Sequence, residues 1–312
     1  MRTKAELEGA IRSRGRTALI INTRSRRGRR LFVTARRRIA AGRPPMAVFP
    51  VPDPARLPVI FRTALELRPD LLVVGGGDGT LKEAVTHLVH RDIALGVLPL
   101  GTTNNFARSL GLPLGLRGAT EVIRSGKVAD VDAGFVRGET GDEVFANMVS
   151  LGMSVAVAGG VPAGLKRVVG RAAYALTALR SMPAHQPFHA TVVAGGDTYD
   201  FATHQLNIAN GAHHSGRLIA RDAGPDDRVL AVYRLGDEGR HKLAGATLRH
   251  VLAGHRRSLA EDAFITTREV YVETRPPMPV DIDGEIRGLT PVRVTLLPNA
   301  LRVMVPEGFV DT

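Results

Sequence analysis

Asp70-Leu-Leu-Val-Val-Gly-Gly-Gly-Asp-Gly-Thr-Leu-Lys-Glu-Ala-Val-Thr-His-Leu-Val89 contains the signals from which the fold of the N-terminal part can be predicted. Its apolar run, Leu71–Val74, is typical of a buried parallel strand. After the glycines, the apolar residues from Leu81 to Val89 recur at the spacing of one helix face. The stretch therefore predicts a strand, a glycine-rich turn and a helix N-terminus, with Thr80 and Glu83 as a capping box.

The glycine-rich turn suggests a phosphate site. Glycines let an anion approach the backbone closely, and a helix N-terminus offers unpaired N–H groups and the positive end of the helix dipole. Asp78 is the exception, because a carboxylate repels phosphate. Its presence makes sense if it holds a magnesium ion or accepts a proton from an attacking hydroxyl. An ordinary tight turn with a solvated Asp78 is the alternative interpretation.

A second junction of the same kind follows. Leu95–Pro99 is a predicted strand, and Leu100–Leu110 is a polar turn that continues into a helix. Two such junctions in a row place Gly77–Thr80 and Gly101–Asn104 at the same edge of a parallel sheet. Ligands bind at that edge in such folds.

The predicted elements change in character near residue 130. Before this point strands alternate with helices, which favours a mainly parallel α/β domain over residues 1–130. Beyond it, short alternating runs separated by turn residues predict an antiparallel, sandwich-like domain over residues 131–295. Asp283-Gly284 within this part is a hairpin signal. Two further helices are predicted at 164–182 and 240–259.

Composition excludes several classes of protein. The 312 residues suit one large or two modest domains, and the absence of cysteine rules out disulfides and thiolate metal sites. No apolar run is long enough for a transmembrane helix, and the charged N-terminus predicts no secretory signal. Aromatic residues make up 4% of the chain and Trp is absent, which leaves little stacking surface for single strands, so no nucleic-acid partner is expected.

Positive charge is concentrated at the front of the chain. Residues 1–45 hold 14 of the 42 Lys and Arg residues but only 2 of the 30 acidic ones. The densest part consists of Arg24, Arg26, Arg27, Arg29, Arg30, Arg36, Arg37 and Arg38. This patch suits nucleotide phosphates, an anionic membrane surface or nucleic acid, and a plain solvated face is the alternative.

Three motifs occur in order along the chain: Gly76-Gly-Asp-Gly-Thr80, Pro99-Leu-Gly-Thr-Thr-Asn-Asn-Phe-Ala107 and Asp283-Gly-Glu285. Together they resemble the diacylglycerol kinase catalytic family, which includes sphingosine kinases and bacterial lipid kinases. NAD kinases and phosphofructokinases share the first motif, whereas the second separates the lipid kinases from both. The resemblance implies an α/β + β fold with the active site in the cleft between two domains, and final strands at 296–312 that return to the first domain.

The resemblance also implies ATP- and Mg²⁺-dependent transfer of the γ-phosphate to the hydroxyl of a lipid such as diacylglycerol. Its catalytic residues would be Glu285, the general base, and Asp78, which holds catalytic magnesium or assists the base. The implied nucleotide contacts are Asn22, Thr23, Arg24, Ser25, Arg26, Gly77, Asp78, Gly79, Thr80, Leu81, Lys82, Glu83 and Thr102. A second magnesium site would use Asp227, the carbonyls of Gly224 and Val229, and, through water, Asp132.

Several positions depart from the family pattern, and three of the departures lie in the implied phosphate and magnesium sites. Gly28 lies further along than the usual glycine of the first phosphate loop, Asn105 replaces an Asp of the second motif, and Arg228 replaces a Gly beside Asp227. Since Asp78 and Glu285 are retained, we expect an active enzyme. A kinase of a soluble substrate such as NAD and a non-catalytic lipid- or nucleotide-sensing protein are the alternatives.

The expected partner follows from the implied substrate. A lipid at an anionic membrane surface would be met by a cytoplasmic protein that is peripheral on the inner face of the membrane rather than transmembrane. The sequence leaves a homodimer open.

Overall fold

The structure, a computed structural model, describes residues 1–42, 44–152, 155, 186–214, 217–218, 224–235 and 263–311. The helices predicted at 164–182 and 240–259 lie outside these residues. Within the described ranges, no helix combines the length and the apolar character needed to cross a bilayer.

Helices are concentrated in the N-terminal part. The described residues form six of them: α1 (Lys4–Arg14), α2 (Arg26–Ala40), α3 (Leu57–Glu66), α4 (Asp78–Leu88), α5 (Asn105–Ser109) and α6 (Leu116–Ser125). A 3-10 turn, Pro54–Arg56, leads into α3.

Strands run through both parts of the chain. Those formed by the described residues are β1 (Thr17–Asn22), β2 (Ala47–Val51), β3 (Leu71–Gly76), β4 (Ala94–Pro99), β5 (Lys127–Gly138), β6 (Gly141–Phe145), β7 (Met148–Gly152), β8 (Phe188–Ala194), β9 (Asp197–Thr203), β10 (Gln205–Ala209), β11 (His213–His214), β12 (Arg217–Leu218), β13 (Leu230–Leu235), β14 (Ile265–Thr267), β15 (Glu269–Arg275), β16 (Pro279–Ile282), β17 (Glu285–Leu289) and β18 (Val292–Val305).

The N-terminal strands form a parallel sheet in the order β2-β1-β3-β4. Every residue of β3 is buried, as expected for a central strand covered on both faces. Successive residues alternate between the two faces, so Val73 packs into one apolar cluster and Val74 into the other. The prediction of a mainly parallel α/β domain is confirmed, and its loops after β1, β3 and β4 lie at one edge.

The long strand β18 connects this sheet to the C-terminal part. Arg302 and Val303 pair in parallel with Ala94 and Leu95 of β4. Along most of its length β18 also pairs antiparallel with β5, and its first half pairs with β15. The sheet of the N-terminal part is therefore continuous with one sheet of the C-terminal part.

A second sheet, in the order β14-β13-β10-β7-β16-β17, faces the extended first sheet. Apolar side chains from both sheets form one buried cluster, to which β5, β8, β15 and β18 contribute from one side and β7, β10, β13 and β16 from the other. The pairings recorded in the second sheet are antiparallel. This confirms the predicted C-terminal sandwich-like architecture.

Candidate active site

Asn22 joins the loop after β1 to the helix that follows β3. Its Nδ2 donates to Oγ1 of Thr80 at 3.0 Å, while its Oδ1 accepts the N–H of Arg24 at 3.1 Å. Ser25 caps α2 by accepting the N–H of Gly28 at 2.9 Å. The loop after β1 is thus held against the start of α4 by one side-chain hydrogen bond, between Asn22 and Thr80.

Asp78, the first residue of α4, links the loop after β3 to the loop after β4. Its Oδ2 accepts the hydroxyl of Thr103 at 2.5 Å, and its Oδ1 accepts the N–H of Asn105 at 2.6 Å. The contact to Asn105 uses the backbone, so the replacement of the family's Asp at this position leaves that contact intact. The buried Asn104, with φ of 51°, fixes the same loop by accepting the N–H of Gly101 at 2.9 Å.

Two glycines are required by how closely these segments approach each other. A Cβ atom on Gly101 would lie 2.5 Å from Cα of Gly77, and one on Gly28 would lie 2.0 Å from the carbonyl oxygen of Asn22. Real Cβ atoms do not approach backbone this closely. The unusual position of Gly28 is therefore explained by the packing of α2 against the end of β1.

The predicted capping box at Thr80 and Glu83 is wrong. Helix α4 begins at Asp78, and its N-cap, Gly77, has no side chain to bond the first amides. Thr80 lies within the first turn and bonds Asn22 instead, while Glu83 bonds Nε2 of His87 at 3.0 Å. The local capping preference is overridden by the tertiary contact of Thr80, so the amides at the start of α4 have no side-chain cap.

The other predicted nucleotide contacts differ in their surroundings. Leu81 is buried in the core, and Thr23 donates its N–H to the carbonyl of Val51 at 2.9 Å. The side chains of Arg24, Arg26 and Thr102 are exposed.

Lys82 connects α4 to the C-terminal part through a network of charged side chains. Its Nζ lies 2.9 Å from a carboxylate oxygen of Glu143 and 3.0 Å from Oε2 of Glu285. Arg287 completes the network, with Nη2 at 2.9 Å from Glu285 and Nε at 3.1 Å from Glu143. Since Asp78 lies one helical turn before Lys82, the two predicted catalytic carboxylates belong to the same region of the molecule.

The network sets the protonation state of Glu285. Burial raises the pKa of this carboxyl, but hydrogen bonds from Arg287 and Lys82 outweigh burial, so the pKa lies below its ordinary value. Glu285 is therefore ionised at neutral pH and can accept a proton. Its side chain is about half exposed (48%), which leaves it accessible from solvent.

A tight turn between β16 and β17 positions Glu285, and the hairpin predicted at Asp283-Gly284 is confirmed. Asp283 and Gly284 have φ of 53° and 93° between β16 and β17, a positive-φ pair of the kind that two-residue hairpins use. The partly buried Asp283 carboxylate accepts the N–H groups of Ala146 and Asn147, which link β6 to β7, and of Met148, the first residue of β7, at 2.7, 3.0 and 3.0 Å. Burial raises the pKa of Asp283, although these hydrogen bonds oppose the rise.

Sequence reasoning missed several polar residues of this region. Glu143 and Arg287 belong to no motif. Asn147 and Asn210 are buried, and Asn210 donates from Nδ2 to the carbonyls of Asp132 and Ala146 at 3.1 and 3.0 Å. Within the described residues, Oδ1 of each Asn has no hydrogen-bond partner. A single amide beside an apolar strand is the signal that could have identified both.

The predicted second magnesium site lies where β5 meets the loop before β13. The carboxylate of Asp227 accepts the N–H groups of Gly224 and Val229, at 2.5 and 3.1 Å, and that of Asp132 accepts the N–H groups of Arg228 and Asn299, both at 2.8 Å. Burial raises the pKa of Asp227 to about 6, and repulsion from neighbouring aspartates adds to the rise while the hydrogen bonds oppose it. No group of three or more His, Cys, Asp or Glu side chains in the described ranges is arranged to hold a metal.

Arg228 carries backbone strain at this loop. Its φ is 60°, a left-handed conformation that costs a non-glycine residue about 1 kcal/mol. We expect Arg228→Gly to raise the free energy of unfolding by about 1 kcal/mol relative to Arg228→Ala, which removes the same side chain but keeps the strain. Chemical denaturation of the two variants measures the difference, and equal stabilities would contradict the assignment of strain.

Two family models match this chain. The family model described as diacylglycerol kinase catalytic domain matches residues 16–136, and that described as YegS C-terminal NAD kinase beta sandwich-like domain matches residues 147–305. A protein of Pseudomonas fluorescens named "Probable lipid kinase YegS-like" is 34% identical over 244 residues, which cover 76% of this chain and 77% of that protein. A protein of the same name from Pseudomonas aeruginosa is 32% identical over 242 residues, with the same coverage of both chains.

Solved structures show the same fold. A crystal structure titled as a diacylglycerol kinase from Bacillus anthracis superposes with a TM-score of 0.77. It covers 95% of this chain and 98% of its own, at 22% sequence identity. At this identity the likeness supports the two-domain architecture alone.

Proposed function

Because this chain belongs to the family of YegS-like lipid kinases, whose N-terminal part is a diacylglycerol kinase catalytic domain, we propose that it transfers the γ-phosphate of ATP to the hydroxyl of a lipid such as diacylglycerol. One observation carries the proposal. Lys82 lies on α4, the helix that starts at the glycine-rich turn after β3. It contacts the ionised carboxylate of Glu285, which belongs to the C-terminal part.

Each part of the site has a role in this reaction. The uncapped amides at the start of α4 and the glycine loops around them would bind the phosphates. Glu285 would accept the proton of the lipid hydroxyl as its oxygen attacks the γ-phosphorus and the bond to the β-phosphate oxygen breaks. Lys82 and Arg287 would keep Glu285 ionised before the reaction. Phosphoryl transfer depends mainly on positioning and charge neutralisation, for which this arrangement is sufficient.

Magnesium is part of the same proposal. The donor chemistry fits a hard cation, because Asp78 is a carboxylate at the phosphate loop and Asp132 and Asp227 are carboxylates whose mutual repulsion a cation would relieve. Asp78 would hold the catalytic ion, which when bound neutralises charge on the transferring phosphate. Asp227 and Asp132, with carbonyls of the same loop, would hold a second ion.

The reaction is tested by incubating the full-length protein with Mg²⁺, γ-labelled ATP and lipids extracted from cells, followed by chromatography and mass spectrometry. We expect label in a lipid phosphate. Labelling of NAD that is faster than that of any lipid class would instead indicate a kinase of a soluble substrate. Tight ATP binding without turnover of any lipid or of NAD would indicate a sensing protein.

We also propose that helix α2 contacts an anionic membrane surface. Seven of its fifteen residues are Arg and none is acidic. Near its centre Val33 is 62% exposed, and its neighbours at helical spacing are four exposed arginines, Arg29, Arg30, Arg36 and Arg37. An exposed apolar residue within a basic helical face is typical of helices that lie on anionic bilayers.

Neutralising this face is expected to weaken vesicle binding. We expect the variant with Gln at Arg29, Arg30, Arg36 and Arg37 to bind vesicles containing phosphatidylglycerol at least ~100-fold more weakly, since each basic residue near such a surface contributes about 1 kcal/mol. Co-sedimentation measures the change. The control carries the same four charge losses on other exposed surfaces, at Arg62, Arg124, Arg268 and Arg275. Equal loss in both variants would show that net charge, rather than α2, governs binding.

A further inference from the structure

A pocket of about 250 Å³ lies beside the charged network, between the β5–β6 hairpin and the β16–β17 hairpin. Buried side chains of both sheets supply its apolar wall, among them Val136, Ile282 and Val292. Glu143 and Arg287, which contact Lys82 and Glu285 respectively, lie at its charged side. The pocket therefore shares Glu143 and Arg287 with the network that holds Glu285.

Two half-exposed apolar side chains complete the lining. Ile286 and Leu289 are 50% and 52% exposed, and both line the pocket. Residues three apart on a regular strand point to opposite faces. Here Arg287 and Gly288 of β17 are matched by the single residue Val280 of β16, because Ile286 lies opposite Asp281 and Leu289 opposite Pro279. This bulge brings both side chains to one pocket.

Gly288 is the residue that makes the bulge. Its φ of 70° is left-handed, and a Cβ atom there would lie 2.3 Å from Oγ1 of Thr140 in the turn of the neighbouring hairpin. Both the conformation and the contact require glycine. The apolar surface of Ile286 and Leu289 is thus held in place by both hairpins. In the sequence it directly follows Glu285, the residue that would accept the proton.

We propose that this bulge pocket binds the alkyl part of the acceptor lipid next to its reacting hydroxyl, an inference that rests on the proposed function. Arg287 both contacts Glu285 and lines the pocket, so a hydroxyl that meets Glu285 leaves the adjoining carbon chain at the charged side of the pocket. The apolar wall suits hydrocarbon, while the charged side keeps the polar head at the network. Binding covers the half-exposed Ile286 and Leu289, which supplies affinity and excludes water from the carboxylate.

The test compares Ile286→Asn and Leu289→Asn with Val59→Asn in the full-length protein. Val59, on α3 of the other domain, is 52% exposed and serves as the matched control. Fluorescence titration with NBD-labelled dodecanol, without vesicles or ATP, measures binding to the pocket directly. We expect both pocket variants to bind this probe about tenfold more weakly than the wild type and the Val59 variant to bind it unchanged. With dioctanoylglycerol and ATP, the pocket variants should show a KM for the lipid that is raised about tenfold, with the KM for ATP unchanged as evidence of correct folding.

The possible outcomes test the pocket assignment separately from the proposed kinase reaction. Equal probe affinity in the wild type and all three variants would overturn the pocket assignment, whatever the turnover. A second result would also overturn the pocket assignment: light scattering shows that Ile286→Asn loses a dimer formed by the wild type, while the affinity for the probe is unchanged. This surface would then be assigned to contact with a second copy of the chain. Weakened probe binding in the pocket variants alone, together with no lipid phosphorylation by the wild type, would support the pocket while rejecting the proposed kinase.

Discussion

Glu285→Gln is expected to lower the turnover of the lipid substrate at least ~100-fold, the scale of a lost general base. The amide keeps the shape of the side chain and can still bond Lys82 and Arg287, but it cannot take the proton of the attacking hydroxyl. Single-turnover measurement of phosphate transfer from ATP to lipid gives the size of the loss. The KM for ATP should change little, because Glu285 lies on β17 of the C-terminal part rather than on the phosphate loops.

Glu143→Gln is the matched control for this experiment. Glu143 contacts the same Lys82 and Arg287 at similar distances, yet it is not the carboxylate assigned to proton transfer. We expect it to cost less than about tenfold in turnover. Removal of this second negative charge also leaves both cations to Glu285, so the acid limb of kcat/KM should move to lower pH. If Glu143→Gln proves as damaging as Glu285→Gln, the network as a whole, rather than Glu285 as base, supports the reaction.

Asp78→Asn is expected to produce a loss of similar size, at least ~100-fold in turnover. The variant removes the negative charge proposed to hold the catalytic magnesium, and it weakens the hydrogen bonds to Thr103 and Asn105. We therefore expect the magnesium concentration for half-maximal rate to rise as well. Steady-state rates over a magnesium titration measure both effects.

Thr103→Val separates the charge of Asp78 from its role in joining the loops. It deletes the hydroxyl that bonds Oδ2 of Asp78 and leaves the carboxylate in place. We expect a loss of less than about tenfold and an unchanged magnesium requirement. A loss in Thr103→Val that equals that of Asp78→Asn would mean that loop geometry alone accounts for the effect.

Local signals in the sequence predicted those parts of the fold that short-range physics determines. The buried run of β3 and the Asp283-Gly284 turn are specified within a few residues, and both occur as expected. The capping box at Thr80 failed because a long-range partner, Asn22, takes the threonine hydroxyl. A capping rule considers only neighbours along the chain, so it cannot weigh that competitor.

The charged network could not be predicted because its members are far apart in sequence. Lys82 on α4 and Glu143 on β6 meet only after the two sheets have packed, and each alone resembles an ordinary solvated charge. The bulge at Gly288 was missed for a related reason. Its glycine is required by contact with Thr140 in another hairpin, which no local pattern around residue 288 indicates.

Strand β18 has a mechanical consequence for this two-domain protein. This strand is hydrogen-bonded to β4 of the N-terminal sheet and to β15 and β5 of the C-terminal part, and its register shifts between Leu297 and Leu301. A free hinge between the two parts would break this ladder, so we expect motion between them to occur as bending of the shared sheet at the irregular stretch, where Asn299 has a φ of 50°. The phosphate loops and Glu285 would then move relative to each other only as far as this strand bends.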